Sequence, residues 1–275
     1  MKDMIRADSE VNMLYNPEAV RKAYDEIADK EDGFEKGFSL RNEIPRMFIK
    51  KYLEPSDSVL DAGGGSGINA IMMAQRSQRV TLVDISPKVL ELAATNIHNA
   101  GMTEKIDLTV GDISDLRQFG DAEFSLVVCI GGTLSYVLEK GQQAIRELVR
   151  VARRDAILII GCDSKYGFVR WLFNEIEAES QLETALEIYE AGKYEAAEGV
   201  FARLYTVSEL TTLIQDAGCE IIEIASTPCL INSWEQSSYP VEEQRGLLEL
   251  EMKFCTAPEL LGTGHHLLCV ARKIG

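Results

Sequence analysis

Val59-Leu60-Asp61-Ala62-Gly63-Gly64-Gly65-Ser66-Gly67 is the stretch on which the reading of this chain turns. A short apolar run delivers an acid, a glycine loop follows, and Ile68 opens an apolar helical segment. Glycines let a backbone turn tightly and approach a ligand without interference from a Cβ. A carboxylate at such a strand end can hold a positively charged amino group or an ordered water. Three readings fit the glycines alone. The first is a turn with no ligand. The second is a dinucleotide loop, because Gly65 to Ala70 satisfies GxGxxA and Asp84 stands where a ribose-binding acid belongs. The third is a site for a cofactor with a charged amino-acid end and no pyrophosphate, which suits the D-x-G-x-G-x-G spacing of Asp61, Gly63, Gly65 and Gly67.

Outward from this loop, short apolar runs at 58–61, 79–84, 106–110, 124–130 and 156–161 predict strands. Amphipathic stretches at 67–76, 87–100 and 141–153 predict helices between them, with a short turn near 114–118. Strand and helix in this rhythm imply a parallel sheet with helices on both faces. A helix over 207–217, a sixth strand at 220–225 and a seventh at 267–271 complete the pattern. Residues 163–202 and 227–264 break it. Connections that long are usually lids or binding elements, and both read as helical. Gly192 to Phe201 imitates half of a tetratricopeptide repeat, but one copy builds no solenoid, so it reads as two amphipathic helices. Residues 1–50 read as an N-terminal helical segment packing over the cofactor site. Asn16-Pro17-Glu18 starts its first helix (19–29), and Gly33 and Gly37 separate this from a second helix ending near Tyr52. Residues 51–275 form the main domain.

Two further acids fall at the same expected sheet edge. Asp84 ends the second strand, where it can accept both hydroxyls of a ribose while Ile85 packs on an adenine. Gly111-Asp112-Ile113 follows the third strand, offering a carboxylate to an adenine amino group with Ile113 beside the ring. Acids at the carboxyl ends of successive strands line the crevice of an open α/β sheet.

With these motifs the sequence resembles the class I S-adenosylmethionine-dependent methyltransferases, over about residues 40–225 and again at 266–272. Phe124-Ser125-Leu126-Val127-Val128-Cys129, running into Ile130 and Gly131 to Tyr136, is a further match, although many relatives carry Asp where this chain has Ser125. Arg203-Leu204-Tyr205-Thr206, with Glu209-Leu210 and Ala217-Gly218, resembles the small-molecule branch. The resemblance implies a Rossmann-like, seven-stranded, mostly parallel sheet with helical insertions forming a lid. It implies S-adenosylmethionine as cofactor, Ile130 beside its methionine part, and methyl transfer to a small molecule by in-line displacement. A protein methyltransferase, or an enzyme that cleaves or cyclises the cofactor, is the alternative. Tyr136, Trp171, Arg203 and Trp234 are the expected acceptor-side residues. The sequence assigns neither a general base nor an oligomeric state.

Composition narrows the partners. Against 28 basic residues stand 44 acidic ones, a net charge of -16 that repels phosphate backbones and argues against nucleic acid. Six scattered cysteines form no CxxC pair and predict a reduced, cytoplasmic protein. Met1 to Glu10 lacks the apolar core of a signal peptide, and no apolar run reaches about 18 residues, so no membrane partner is expected. No metal site is expected either. His98 reads as a surface residue, and strand alternation is expected to send His265 and His266 to opposite faces.

Overall fold

The chain is described by a computed structural model over residues 14–36, 38–175, 181–231 and 240–275. Two helices lead, α1 (Pro17–Lys36) and α2 (Leu40–Tyr52). Asn16 caps α1 by accepting the Ala19 N–H at 3.1 Å. The helix then runs through Gly33, so that glycine does not break the chain as expected; Gly37 lies outside the described residues. The sheet elements follow as β1 (Ser58–Ala62), α3 (Ile68–Ala74), β2 (Arg79–Asp84), α4 (Pro87–Asn99), β3 (Ile106–Val110) and β4 (Phe124–Cys129). Next come α5 (Thr133–Tyr136), α6 (Gly141–Val151) and β5 (Ala152–Asp163).

The central strands β1, β4 and β5 form because their aliphatic residues are buried on both faces, which is what helices on both sides of a parallel sheet require. Leu60 and Ala62 of β1 enter one core, while Val59 enters the other. The first core packs against α6, through Ile145 and Leu148; the second packs against α2, α3 and α4, through Phe48, Met73 and Ile97.

After β5 the chain makes α7 (Lys165–Glu175), α8 (Gln181–Ala191), β6 (Lys193–Ala197) and β7 (Val200–Arg203). The segment read from sequence as two helices around Gly192 is instead this hairpin, with Lys193 opposite Arg203 and Glu195 opposite Phe201. Gly192, at φ +63°, ends α8, and Gly199, at φ +71°, makes the turn. Left-handed glycines at both points stop the helical period that the repeat-like pattern imitates. Phe168, Leu172, Ala185, Ile188 and Leu204 give these lid elements a small core of their own. The chain then forms α9 (Val207–Asp216), β8 (Cys219–Thr227), α10 (Val241–Phe254) and β9 (His266–Lys273). Thr206 and Glu209 start α9 with a reciprocal capping box. Glu251 of α10 is fully buried and accepts the N–H groups of Cys229, Leu230 and Ile231 at 2.8, 2.9 and 2.6 Å, which fastens the second insertion.

The seven strands lie in the order β3-β2-β1-β4-β5-β9-β8. The first five are parallel, and β9 runs antiparallel between β5 and β8. The sheet is therefore Rossmann-like and mostly parallel, flanked by helices, with the extra helices and hairpin forming a lid. No helix among the described residues is long and apolar enough to cross a membrane.

Ser125 explains its own departure from the expected Asp. Its hydroxyl donates to Asp57 Oδ1 at 2.7 Å and accepts the Ser58 N–H at 3.0 Å. Asp57 is buried and also accepts the Glu54 N–H at 2.7 Å. A carboxylate at position 125 would face another carboxylate. In urea denaturation, Ser125→Ala is expected to cost about 1–2 kcal/mol by orphaning these groups. Ser125→Asp is expected to cost more, and a variant as stable as the parent would contradict this account.

Candidate functional site

The parallel strands end together, and their carboxyl ends form a cleft enclosing about 1130 Å3, part of it open to solvent. Asp61, at the end of β1, is 1% exposed and lines it. The Gly63 and Gly64 N–H groups then both donate to the Val83 carbonyl, at 2.7 and 3.2 Å, folding the loop back over β2. Gly63 has φ +74°, and a Cβ there would stand 2.4 Å from the Thr133 side chain. A Cβ on Gly64 would lie 2.6 Å from Leu82 and 2.9 Å from the Asp61 carboxylate. Gly64 is thus as constrained as the glycines picked out by spacing. Gly67 does not line the cleft; at φ +82° it caps α3 and packs toward Ala93.

Asp84, at the end of β2, lines the cleft and accepts the Gly65 N–H at 3.1 Å and the Ser86 N–H at 2.9 Å. Burial raises its carboxyl above the usual carboxylate value, and these two bonds partly offset that. Ser86 in turn donates to Asp25 Oδ1 at 2.6 Å, which ties α1 to the start of α4. Asp112 accepts the Ser114 N–H at 2.7 Å on one oxygen and the Tyr15 hydroxyl at 2.7 Å on the other. Burial, and then this carboxylate, push the Tyr15 phenol far above its ordinary value. Ile85, Ile113 and Ile130 also line the cleft.

The far wall comes from the loop after β4 and from the N-terminal helices. Tyr136 of α5 lines the cleft and meets Tyr24 of α1 edge to face, with ring centroids 5.6 Å apart. Arg41, Asn42 and Pro45 of α2 contribute as well, and Arg46 reaches Asn69 Oδ1 at 2.9 Å and Glu43 Oε1 at 2.6 Å. Tyr136 was singled out from sequence; Tyr24, Arg41, Asn42, Pro45 and Arg46 were not. The polar pattern of residues 1–50 shows helices but not which side chains face inward.

The other expected acceptor residues lie elsewhere. Trp171, on α7 of the lid, packs against Phe168 and His265 and is not in the cleft lining. Arg203 pairs with Glu209 at 3.3 Å and stacks over Tyr205. Trp234 falls outside the described residues. The expectation that His265 and His266 diverge is corrected: their ring centroids are 5.0 Å apart, and Asp163 joins them. His265 precedes β9, so alternation does not govern it, and His266 pairs with Asp163 across the sheet. Burial works against the Asp163 carboxylate, but His266, His265 and Arg41 outweigh it and hold the group below its usual range.

The glycine loop supports a paired test. Gly131 has φ +73° with open space around its would-be Cβ, whereas Gly63 has both a positive φ and the Thr133 collision. Gly131→Ala is expected to lose about 1–2 kcal/mol of stability from backbone strain. Gly63→Ala is expected to lose clearly more, and equal losses in urea denaturation would show that the two loops do not touch.

Residues 59–155 match the family model of a methyltransferase domain. A ribosomal protein L11 methyltransferase of Thermosipho africanus (strain TCF52B) is 30% identical over 155 residues, 53% of this chain and 56% of its own length. A tRNA1(Val) (adenine(37)-N6)-methyltransferase of Shewanella baltica (strain OS185) is 31% identical over 151 residues, 47% of this chain and 61% of its own. The chain thus spans only about half the length of the first curated relatives it matches. Among solved structures, the Burkholderia thailandensis 1,6-didemethyltoxoflavin-N1-methyltransferase superposes with a TM-score of 0.60 at 17% identity, covering 95% of this chain and 92% of its own. At that identity the likeness shows the fold. With this sheet order, residues 59–155 are similar to a Rossmann-fold methyltransferase domain, and the cofactor that this similarity supports is S-adenosylmethionine.

Proposed function

We propose that the chain transfers the methyl group of S-adenosylmethionine to a small-molecule acceptor by direct in-line displacement. The observation that carries this reading is the roofing of the cleft. Residues of α1 and α2 close over the carboxylate edge, and the Tyr24–Tyr136 pair stands beside it. A roofed cleft suits an acceptor small enough to enter, and a net charge of -16 opposes a tRNA. The lid packs on the same wall, since β7 meets α1 and α5 while α10 meets α2.

The residues fit the cofactor. Gly63 and Gly64 hold the loop so close that a Cβ on either would collide, with Thr133 or with Leu82 and Asp61. Asp61 is placed to hold the amino group of the methionine part, and Asp84 to accept the ribose hydroxyls. Asp112 accepts the adenine amino group between Ile85 and Ile113, Gly65 allows close approach, and Gly67 shapes the loop. Ile130 flanks the methionine part, and Tyr136 faces the acceptor. When bound, the cofactor supplies a methyl already activated on a sulfonium. The chain's task is to aim the acceptor in a dry pocket, a proximity effect of about 7–11 kcal/mol in favourable cases. Within residues 1–50, α1 and α2 close over the cofactor, and within the insertions 163–202 and 227–264 the described elements form the acceptor-side lid. Six free, buried thiols support a reducing, cytoplasmic setting.

Calorimetry is expected to show S-adenosylmethionine binding at micromolar affinity or tighter, about -8 kcal/mol, with no competition from NAD. Asp84→Ala is expected to weaken it by about 1.5–3 kcal/mol, roughly 10- to 150-fold. Unchanged affinity in a folded variant would remove Asp84 from the site. With cofactor labelled on its methyl, cell extract separated into metabolite, protein and RNA fractions tests the acceptor. Label passing to metabolites supports this reading; label passing only to protein or RNA overturns it.

A further inference from the structure

We infer that Asp163, His265 and His266 form a binding site for one divalent first-row transition-metal ion, beside the cofactor cleft. The sheet builds it. Asp163 is the last residue of β5 and His266 the first of β9, and the antiparallel register sets them directly opposite. His265 is fixed one step earlier, where its carbonyl accepts the Ser164 N–H at 2.9 Å. One ligand atom from each side chain lies within 4.8 Å of the others. Bonds of about 2.0–2.2 Å in a tetrahedral set put ligand atoms about 3.4 Å apart, so the three side chains close by up to about 1.4 Å when an ion binds.

The ring nitrogens carry the argument further. His265 Nδ1 and His266 Nε2 are both buried, and neither makes a hydrogen bond of normal geometry. His266 Nε2 is nonetheless 3.0 Å from Asp163 Oδ1, close in distance but off the hydrogen-bond axis. His265 Nδ1 has no such neighbour, and buried polar groups left unmet are uncommon in folded proteins. The surroundings match a metal's outer shell. Tyr194 donates to Asp163 Oδ2 at 3.0 Å, leaving Oδ1 for the ion. Phe168 and Trp171 pack on the His265 ring, each at 5.7 Å, and shield the cluster with apolar surface.

Two imidazoles and one carboxylate select ions such as Zn2+, Mn2+, Fe2+ or Co2+ over Mg2+ or Ca2+, which prefer all-oxygen sets. Three protein ligands leave a position open, as in catalytic rather than structural sites. The position is also suggestive of use. A Cβ on Gly132 would stand 3.0 Å from Asp163 Oδ1, and its neighbours Gly131 and Thr133 line the cleft. An acceptor hydroxyl or thiol taking the open position would be acidified by the ion next to the methyl donor. That last step rests on the methyl-transfer reading; metal binding does not.

The test is titration of chelator-treated, full-length protein with Co2+, read by visible absorption, and with Zn2+ by calorimetry. One equivalent is expected at micromolar affinity or tighter, with Co2+ bands free of thiolate charge transfer. His265→Ala and His266→Ala are each expected to weaken binding at least about 100-fold, and Tyr194→Phe about 10-fold or more. His98→Ala, an exposed histidine elsewhere, leaves binding unchanged. No stoichiometric binding by the parent protein, thiolate bands, or binding retained in a folded His265→Ala/His266→Ala variant would each overturn the site. S-adenosylmethionine affinity measured on the same preparation separates the two readings. Cofactor binding without metal binding removes this inference alone, and absence of both removes the methyl-transfer reading with it.

Discussion

A parallel strand can be left only at its carboxyl end, and that constraint shapes this molecule. Five strands running side by side bring five chain reversals to one edge of the sheet. Each reversal there exposes backbone N–H groups that want an acceptor, and each strand end presents a side chain across a shared gap. Asp61, Asp84 and Asp112 exploit this, and the two glycine loops, after β1 and β4, come close enough that Thr133 occupies the space a Cβ on Gly63 would need. The helices α1 and α2 then cover an edge that the sheet alone would leave open. Asp163 is the same device once more, since it ends the fifth strand; but its neighbour is the antiparallel β9, so the space opposite it holds a histidine.

What could be read from the sequence follows from which forces are local. Strands buried on both faces must be nearly continuous apolar runs, so the central strands were visible, and an acid ending such a run stands out against it. Ser125 was visible as a departure but not as a solution, because its partner Asp57 comes from the turn before the neighbouring strand. The hairpin at 193–203 was misread because a helical spacing of alanines and aromatics carries no record of left-handed glycines at 192 and 199. Tyr15 and Tyr24 were not found, since the inward face of a polar helix is decided by what it docks against. The pairing of Asp163 with His266 depends on an antiparallel register between residues far apart in the chain, and no local spacing encodes it.

The lid is fastened at its root. Ser164 donates its hydroxyl to the Gly262 carbonyl at 2.8 Å, the Lys165 N–H donates to the Tyr205 carbonyl, and the Tyr205 N–H donates to the Asp163 carbonyl. Gly167 lies so near the Gly264 carbonyl that a Cβ there would fall 1.7 Å from it. The first turn of α7 therefore rests directly on the chain entering β9. Motion of α7 and α8 relative to the sheet must pivot beyond this point, toward the small core of Phe168, Leu172 and Ile188.

The placement of the cysteines gives the protein an internal clock for its own breathing. All six are buried, and burial pushes Cys219 and Cys255 up to about 11 and Cys129 and Cys269 up to about 12. A thiol in that state reacts with an alkylating reagent only when the surrounding structure opens. Cys129, Cys162, Cys219 and Cys269 lie in one core, and Cys229 and Cys255 lie in the other, where α10 packs. Cys229 additionally leans on Glu251, the carboxylate that fastens the second insertion. Undocking of α10 would bare that pair alone, whereas separation of the sheet from α6 and α9 would bare the other four. The order in which the thiols are labelled thus tells an excursion of the insertion from a failure of the whole sheet.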